Sequence, residues 1–311
     1  MHRTLRRGLL CAATMVVTTV GITSTPVAAA PPSHSTTHGI PSQGLPSLRT
    51  GACTPLWDLL NVGGRNGLVA IGLTADQQLI KFAANRPALA CTIGPVDLPG
   101  SETLIGIDFR VQDGNLYGVG NTGGIYALST RTAAATKVSQ LTVALNGTAF
   151  GVDFNPAADR LRIISDTGQN LRHNINPGGT TLVDGPLTYP PATAAVGVTG
   201  AAYTNNDLDP TTATTLFDID TALDQVALQS PANSGQLAAT GSLGVNANLQ
   251  AGFDIHSSLR GGRAVANNAY AVLNGIAGSR IYRVDLLTGE AQPTGGFNGH
   301  VVLDLSLFLR Q

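Results

Sequence analysis

The side chains best equipped for chemistry lie in one stretch, G-V-D-F-N-P-A-A-D-R-L-R-I-I-S-D-T-G-Q-N-L-R, residues 151–172. It carries Asn155, Arg160, Arg162, Asp166, Asn170 and Arg172 within a few turns of each other. Arg160 and Arg162 alternate with Leu161 and Ile163, so they share one strand face. Guanidinium groups so close suit a carboxylate, phosphate or sugar-acid ligand. The competing reading is that these arginines neutralise Asp153, Asp159 and Asp166 between packed elements.

A second candidate is N-N-D-L-D-P, where Asn205, Asp207 and Asp209 place oxygen atoms at alternate positions, as a calcium loop does. The glycine and distal glutamate of an EF-hand are missing, and the same run is an ordinary turn sequence. A third is the set Asp108, Asp153, Asp254 and Asp304, which recurs at matching places along the chain. Four carboxylates around an axis could hold a cation. The alternative is that each accepts hydrogen bonds from the N–H groups of the next turn, since a buried carboxylate must be paired. There is no G-x-S-x-G elbow, H-E-x-x-H pair or P-loop. Glu102 and Glu290 are the only glutamates. Calcium at the 205–209 loop is the one cofactor the sequence offers.

The elements that position these residues follow from an internal repeat. Residues 106–126, G-I-D-F-R-V-Q-D-G-N-L-Y-G-V-G-N-T-G-G-I-Y, align without a gap on 151–171: Gly106 on Gly151, Asp108 on Asp153, Phe109 on Phe154, Leu116 on Leu161. Gly200-Ala201-Ala202-Tyr203, Gly252-Phe253-Asp254-Ile255 and Val302-Leu303-Asp304-Leu305 are further starts. Each unit of about 45–50 residues contains four strand-like runs, the size of a propeller blade. Residues 68–100 hold three such runs and no G-x-D-F start, whereas residues 301–309 are a start with nothing after it. The expectation is an all-β propeller of about five four-stranded blades, closed by a C-terminal inner strand that completes the N-terminal blade. A sixth blade would need residues 53–67.

Charged residues are 12% of 311 and the net charge is −1, so nothing in the composition points to nucleic acid. Arg3, Arg6 and Arg7, an apolar run from Leu9 to Ile22 and the small residues Ala28-Ala29-Ala30 read as a signal peptide over 1–30. Residues 31–52 read as a Pro/Ser/Thr linker, and 53–311 as one propeller domain without a membrane span. Cys11 leaves with the leader, so Cys53 and Cys91 are expected to pair in an oxidising compartment.

The two aligned stretches resemble domain-of-unknown-function family 4394, over about residues 56–310. The resemblance implies an exported bacterial protein with propeller-like repeats and supplies no catalytic residues. Two function classes follow. One is a secreted or cell-envelope binding module, a monomer using loops at one end of the ring for an unidentified extracellular ligand. The other is a propeller hydrolase or lactonase acting on a small anionic or sugar-derived substrate. Convergence of three or more of Asp153, Asn155, Asp254, His256 and Asp304 on one water-filled point would favour the enzyme.

Overall fold

The computed structural model describes Cys53, residues 67–276 and residues 278–310. Residues 1–30 and 31–52, expected to be a signal peptide and a linker, and residues 54–66 lie outside the described residues. Five four-stranded antiparallel sheets make five blades. The first blade joins β1 (Val69–Thr74), β2 (Gln78–Ala83) and β3 (Cys91–Pro95) to the last strand, β22 (Val302–Leu307), in the order β22-β1-β2-β3. The second runs β4 (Leu104–Phe109), β5 (Leu116–Gly120), β6 (Gly124–Leu128), β7 (Ala135–Gln140). The third runs β8 (Phe150–Asn155), β9 (Arg160–Ser165), β10 (Asn170–His173), β11 (Thr181–Val183). A small hairpin, β12 (Thr188–Tyr189) and β13 (Thr193–Ala194), precedes the fourth blade. That blade is β14 (Val198–Tyr203), β15 (Leu216–Asp220), β16 (Gln225–Gln229), β17 (Leu237–Ser242). The fifth is β18 (Ala251–Arg260), β19 (Arg263–Gly275), β20 (Gly278–Val284), β21 (Ala291–Gly296). No α-helix occurs among the described residues, and none there is long and apolar enough to cross a membrane.

The ring closes as the repeat predicts. β22 pairs antiparallel with β1, with Ile71 opposite Ser306 and Leu73 opposite Asp304. Among the described residues the blade count is five. The inner strands β22, β4, β8, β14 and β18 neighbour one another around the axis. Five apolar clusters fill the five gaps between blades, for example Tyr117, Val119 and Ile125 against Val152, Phe154 and Ile163. A strand covered on both faces must be apolar at nearly every position, which is why L-Y-G-V-G in β5 is buried throughout. The outer strands face water on one edge, and β7 is accordingly polar and mostly exposed.

The glycines that open the repeat units at 151 and 252 are required by close approach of the inner strands. A Cβ on Gly151 would lie 2.7 Å from the Ala201 nitrogen, and one on Gly252 would lie 2.6 Å from the Cα of Asp304. Backbone, unlike the end of a side chain, cannot give way at that distance. The disulfide forms between Cys53 and Cys91, with Cα atoms 5.5 Å apart, and fastens Cys53 to β3.

Two features have no counterpart in the sequence expectations. One is the β12–β13 hairpin, held to the fourth blade where the Tyr189 hydroxyl donates to Asp220 at 2.9 Å. The other is the length of β18 and β19. Their ladder continues to Arg260 opposite Arg263, whereas β20 leaves β19 at Ala269. The β18–β19 hairpin therefore stands clear of its own blade, turning at Gly261-Gly262, both with positive φ.

Candidate functional site

The repeated aspartates point at the neighbouring inner strand rather than at a following turn. Asp108 Oδ2 accepts the Phe154 N–H at 2.8 Å, Asp153 Oδ1 the Tyr203 N–H at 3.1 Å and Asp304 Oδ2 the Ile107 N–H at 2.8 Å. Asp254 Oδ2 accepts the Leu307 N–H at 2.5 Å. Edge N–H groups of inner strands have no ladder partner toward the axis, and a carboxylate on the adjacent strand supplies one. In the fourth blade Ala202 occupies this place, and the link to the fifth blade comes from Asn206: its N–H donates to Ser257 Oγ and its Nδ2 to the Ile255 carbonyl, each at 2.8 Å.

Asp108, Asp153 and Asp254 bring carboxylate oxygens within 4.8 Å of each other. All three are buried, and each already accepts a backbone N–H. Of the set singled out from sequence, Asp153 and Asp254 thus meet, with Asp108 as the third. Asn155 caps the Ala158 N–H at 2.8 Å, and Asp304 bonds β4.

Burial pushes Asp108, Asp153, Asp304 and Asp218 well above the usual carboxylate range, and Asp254 to about 6. Neighbouring carboxylates add to the effect at Asp108 and Asp153. Asp218, in β15, has no hydrogen-bond partner on either oxygen among the described residues. These folded-state values all lie above the unfolded ones, so the folded protein takes up protons. Their stabilising contribution is complete below about pH 4 and is lost as pH rises through the folded values, between about 4 and 6 for Asp254. Asp159, held low by Arg110, acts oppositely and loses its contribution only as the medium becomes more acidic still. The melting temperature should therefore be higher at pH 5 than at pH 8. Asp218→Asn should narrow that gap by raising the pH 8 value. Stability rising from pH 5 to pH 8, or an Asn variant equally destabilised at both, would contradict this assignment.

The arginine-rich stretch is committed to internal partners. Arg162 is buried and donates through Nε to the Tyr203 hydroxyl at 3.1 Å, through Nη1 to Asn170 Oδ1 and Asp184 Oδ2, both at 2.7 Å, and through Nη2 to Asn233 Oδ1 at 2.8 Å. Arg172 Nε donates to Asp184 Oδ1 at 2.9 Å. Arg160 donates to the carbonyls of Ala158 and Asp159 in its own turn. Asp166 accepts the Thr148 N–H and hydroxyl at 2.9 and 2.7 Å. Asp184, which the sequence reading did not single out, joins Arg162 and Arg172, while Asp159 pairs with Arg110.

The 205–209 loop likewise spends its oxygens on protein donors. Asn205 Oδ1 accepts Asn267 Nδ2 at 2.9 Å. Asp207 accepts the N–H groups of Asp209 and Ala264 at 2.9 and 2.8 Å. Asp209 accepts the Thr211 N–H and pairs with Arg263 at 3.1 Å. Ala264, Arg263 and Asn267 all belong to β19, so this loop clamps the projecting hairpin.

Clamp and hairpin enclose a hollow of about 690 Å³. Four of the five inner strands deliver their C-terminal continuations to it: Val111 beyond β4, Asn206–Leu208 beyond β14, His256–Leu259 in β18, Leu309 and Arg310 beyond β22. It therefore caps the ring at the end where the inner strands finish. His256, Ser257, Asn206 and Asp207 are buried at its floor, while Leu208, Leu259 and Arg310 are exposed at its rim. Two buried atoms of these residues, His256 Nδ1 and Asn206 Oδ1, have no hydrogen-bond partner among the described residues. Burial lowers the His256 pKa, so the ring is neutral near pH 7. In sequence His256 is an isolated histidine, and the nearest signal of the hollow is the G-G turn that ends its hairpin.

Among curated proteins, none matches this chain. Similar solved structures include a Bacteroides thetaiotaomicron protein of unknown function (13% identity, TM-score 0.41, 72% of this chain and 56% of that one). An auxiliary nutrient binding protein from Bacteroides ovatus shares 10% identity (TM-score 0.36, 71% of this chain and 57% of that one). Myxococcus xanthus glutaminyl cyclase shares 11% (TM-score 0.36, 73% of this chain and 95% of that one). The chain spans little more than half the length of the two Bacteroides structures, and none of these likenesses is close enough to carry an argument about activity. The sequence profile described as Domain of unknown function (DUF4394) matches residues 78–306. With most of the ring inside that match, from β2 to the closing strand, the chain belongs to the DUF4394 family.

Proposed function

We propose that this protein is an exported, non-catalytic binding module that takes a small ligand in the hollow at the end of the ring. The observation that carries the reading is a cavity of ligand size, about 690 Å³, lined by the polar residues His256, Ser257, Ser258 and Asn206 and by the apolar Val111, Leu208 and Leu259. Export is supported by the Arg-rich, apolar, Ala-ended leader and by the Cys53–Cys91 bridge, which suits an oxidising compartment. The arginines of 160–172 are not part of this site, because their donors serve internal acceptors.

The test is a ligand screen read by melting temperature, followed by titration of every hit against two variants. Ser258→Trp fills the hollow, whereas Leu287→Trp adds the same ring on an exposed turn outside it. Hits should weaken at least about tenfold in the first variant, a loss of roughly 1.4 kcal/mol, and bind normally to the second. Hits indifferent to Ser258→Trp would overturn the site. Turnover of lactones or sugar esters lost in His256→Ala would overturn the non-catalytic part of the reading.

A further inference from the structure

A serine of the second blade touches a histidine of the third. Ser139, in β7, is half-buried in a mostly exposed strand. Its Oγ lies 2.8 Å from Nε2 of His173, in β10, and His173 is fully buried. On the other side of the ring, His173 Nδ1 lies 3.0 Å from Thr181 Oγ1, in β11. Thr181 is itself fixed by a reciprocal pair with Thr142. The Thr142 N–H donates to Thr181 Oγ1 at 2.9 Å, and the Thr181 N–H donates to Thr142 Oγ1 at 3.0 Å. A hydroxyl within reach of an imidazole, whose other nitrogen is held by a third group, is the arrangement that activates a serine.

Activation requires the ring proton on the nitrogen away from the serine. The Thr180 carbonyl, next to Thr181, can only accept, and its interaction with the ring favours a proton on that side, at Nδ1. Nε2 is then the acceptor for the Ser139 hydroxyl. Burial, and to a smaller extent the charge of Arg160, lower the His173 pKa from 6.5 and outweigh the Thr180 carbonyl, so the ring is a neutral base near pH 7. Arg160, in β9, is the charged group that acts on this ring among the described residues. It donates through Nη1 alone, to carbonyls of its own turn, which leaves its other N–H groups for negative charge developing nearby.

We propose that Ser139 is a nucleophile that takes the acyl group of small esters, with His173 as its base and Thr181 positioning the ring. Ser139 Oγ attacks the ester carbonyl carbon, and its proton passes to His173 Nε2. The tetrahedral adduct collapses by breaking the bond between the carbonyl carbon and the alcohol oxygen, which leaves with the proton from Nε2. The products are acyl-Ser139 and an alcohol, and no oxidant or cofactor takes part. The site's place in the fold selects the donor. β7 is the outermost strand of its blade, and Ser139 does not line the hollow at the end of the ring. The acyl group therefore arrives from solvent at an open surface, which suits a small, unhindered ester. This chemistry is independent of what the hollow binds.

Incubation of the purified protein with p-nitrophenyl acetate, followed by peptide mass mapping, tests this. Acetyl should appear on Ser139 with a stoichiometric release of p-nitrophenolate, and Ser139→Ala should remove both. His173→Gln should slow the step about a hundredfold, as expected for loss of a general base. The wild-type pH profile reads the same base without a variant: acetylation of Ser139 should hold level from pH 8 to pH 7 and fall as His173 takes up a proton below pH 6.5. No acetyl on Ser139, an unchanged rate in a folded His173→Gln variant, or a rate that climbs steadily from pH 6 to pH 9 overturns the proposal and leaves the reading of the hollow standing. Continued turnover that Ser139→Ala abolishes supports the nucleophile and overturns the non-catalytic part of that reading.

Discussion

Removal of residues 301–311 is expected to abolish folding rather than fray one end. β22 supplies the inner strand of the first blade and neighbours β4 and β18 around the axis. Val302, Leu305 and Leu307 are fully buried, and at roughly 1.5–3 kcal/mol per side chain their loss approaches the stability of a typical domain. The polar losses add to this. Ile107 and Phe109 lose the acceptors Asp304 Oδ2 and Ser306 Oγ, and Asp254 loses the Leu307 N–H. Deletion would also bare the inner edge of β1, an apolar strand. The truncated protein should be found in the insoluble fraction, or as soluble aggregates by light scattering. A monomer with an unchanged melting temperature would show that the ring does not depend on this closure.

Replacing Arg162 should be the most damaging single substitution. Its guanidinium joins four side chains from three segments: Tyr203, Asn170 and Asp184, and Asn233. Arg162→Met keeps the aliphatic length but leaves Asn170 Oδ1 and Asn233 Oδ1 without donors and Asp184 with Arg172 alone. Breaking a buried ion pair from one side costs about 3–5 kcal/mol. In a domain of this size that corresponds to a fall of about 10 °C in melting temperature. Arg162→Lys should fall between the two, since it keeps the charge but cannot span four acceptors. The contrasting substitution is Arg160→Met, whose guanidinium reaches only the two carbonyls of its own turn, and it should change the melting temperature by less than about 2 °C. Similar losses for Arg160 and Arg162 would mean that the hub does not hold the third and fourth blades together.

The same contrast shows why the arginine stretch invited a ligand reading. A strand period places Arg160 and Arg162 on one face, and the structure keeps them there. What the period cannot convey is what lies opposite. Asp184 enters from β11's end and Asn233 from a turn in the next blade, and these supply the acceptors that sequence alone left open to a ligand. The 205–209 loop is a similar case. Alternating oxygens are visible in N-N-D-L-D, but the donors that occupy them arrive from β19, some 55 residues on.

The sequence by itself determined the repeat, the five-blade count, the closing role of the last strand, the Cys53–Cys91 pair and the family. Each rests on information that is local or periodic: apolar alternation, turn residues, a recurring G-x-D-F and the only two cysteines beyond residue 11. The tertiary structure alone decided where polar atoms find partners and where they do not. The hollow exists because β18 and β19 outrun β20 and are clamped by a loop from another blade. Its orphaned atoms, His256 Nδ1 and Asn206 Oδ1, are defined by what does not reach them among the described residues. Hydrogen-bond satisfaction is a property of the whole packed molecule, summed over neighbours far apart in the chain, and no window of residues carries it.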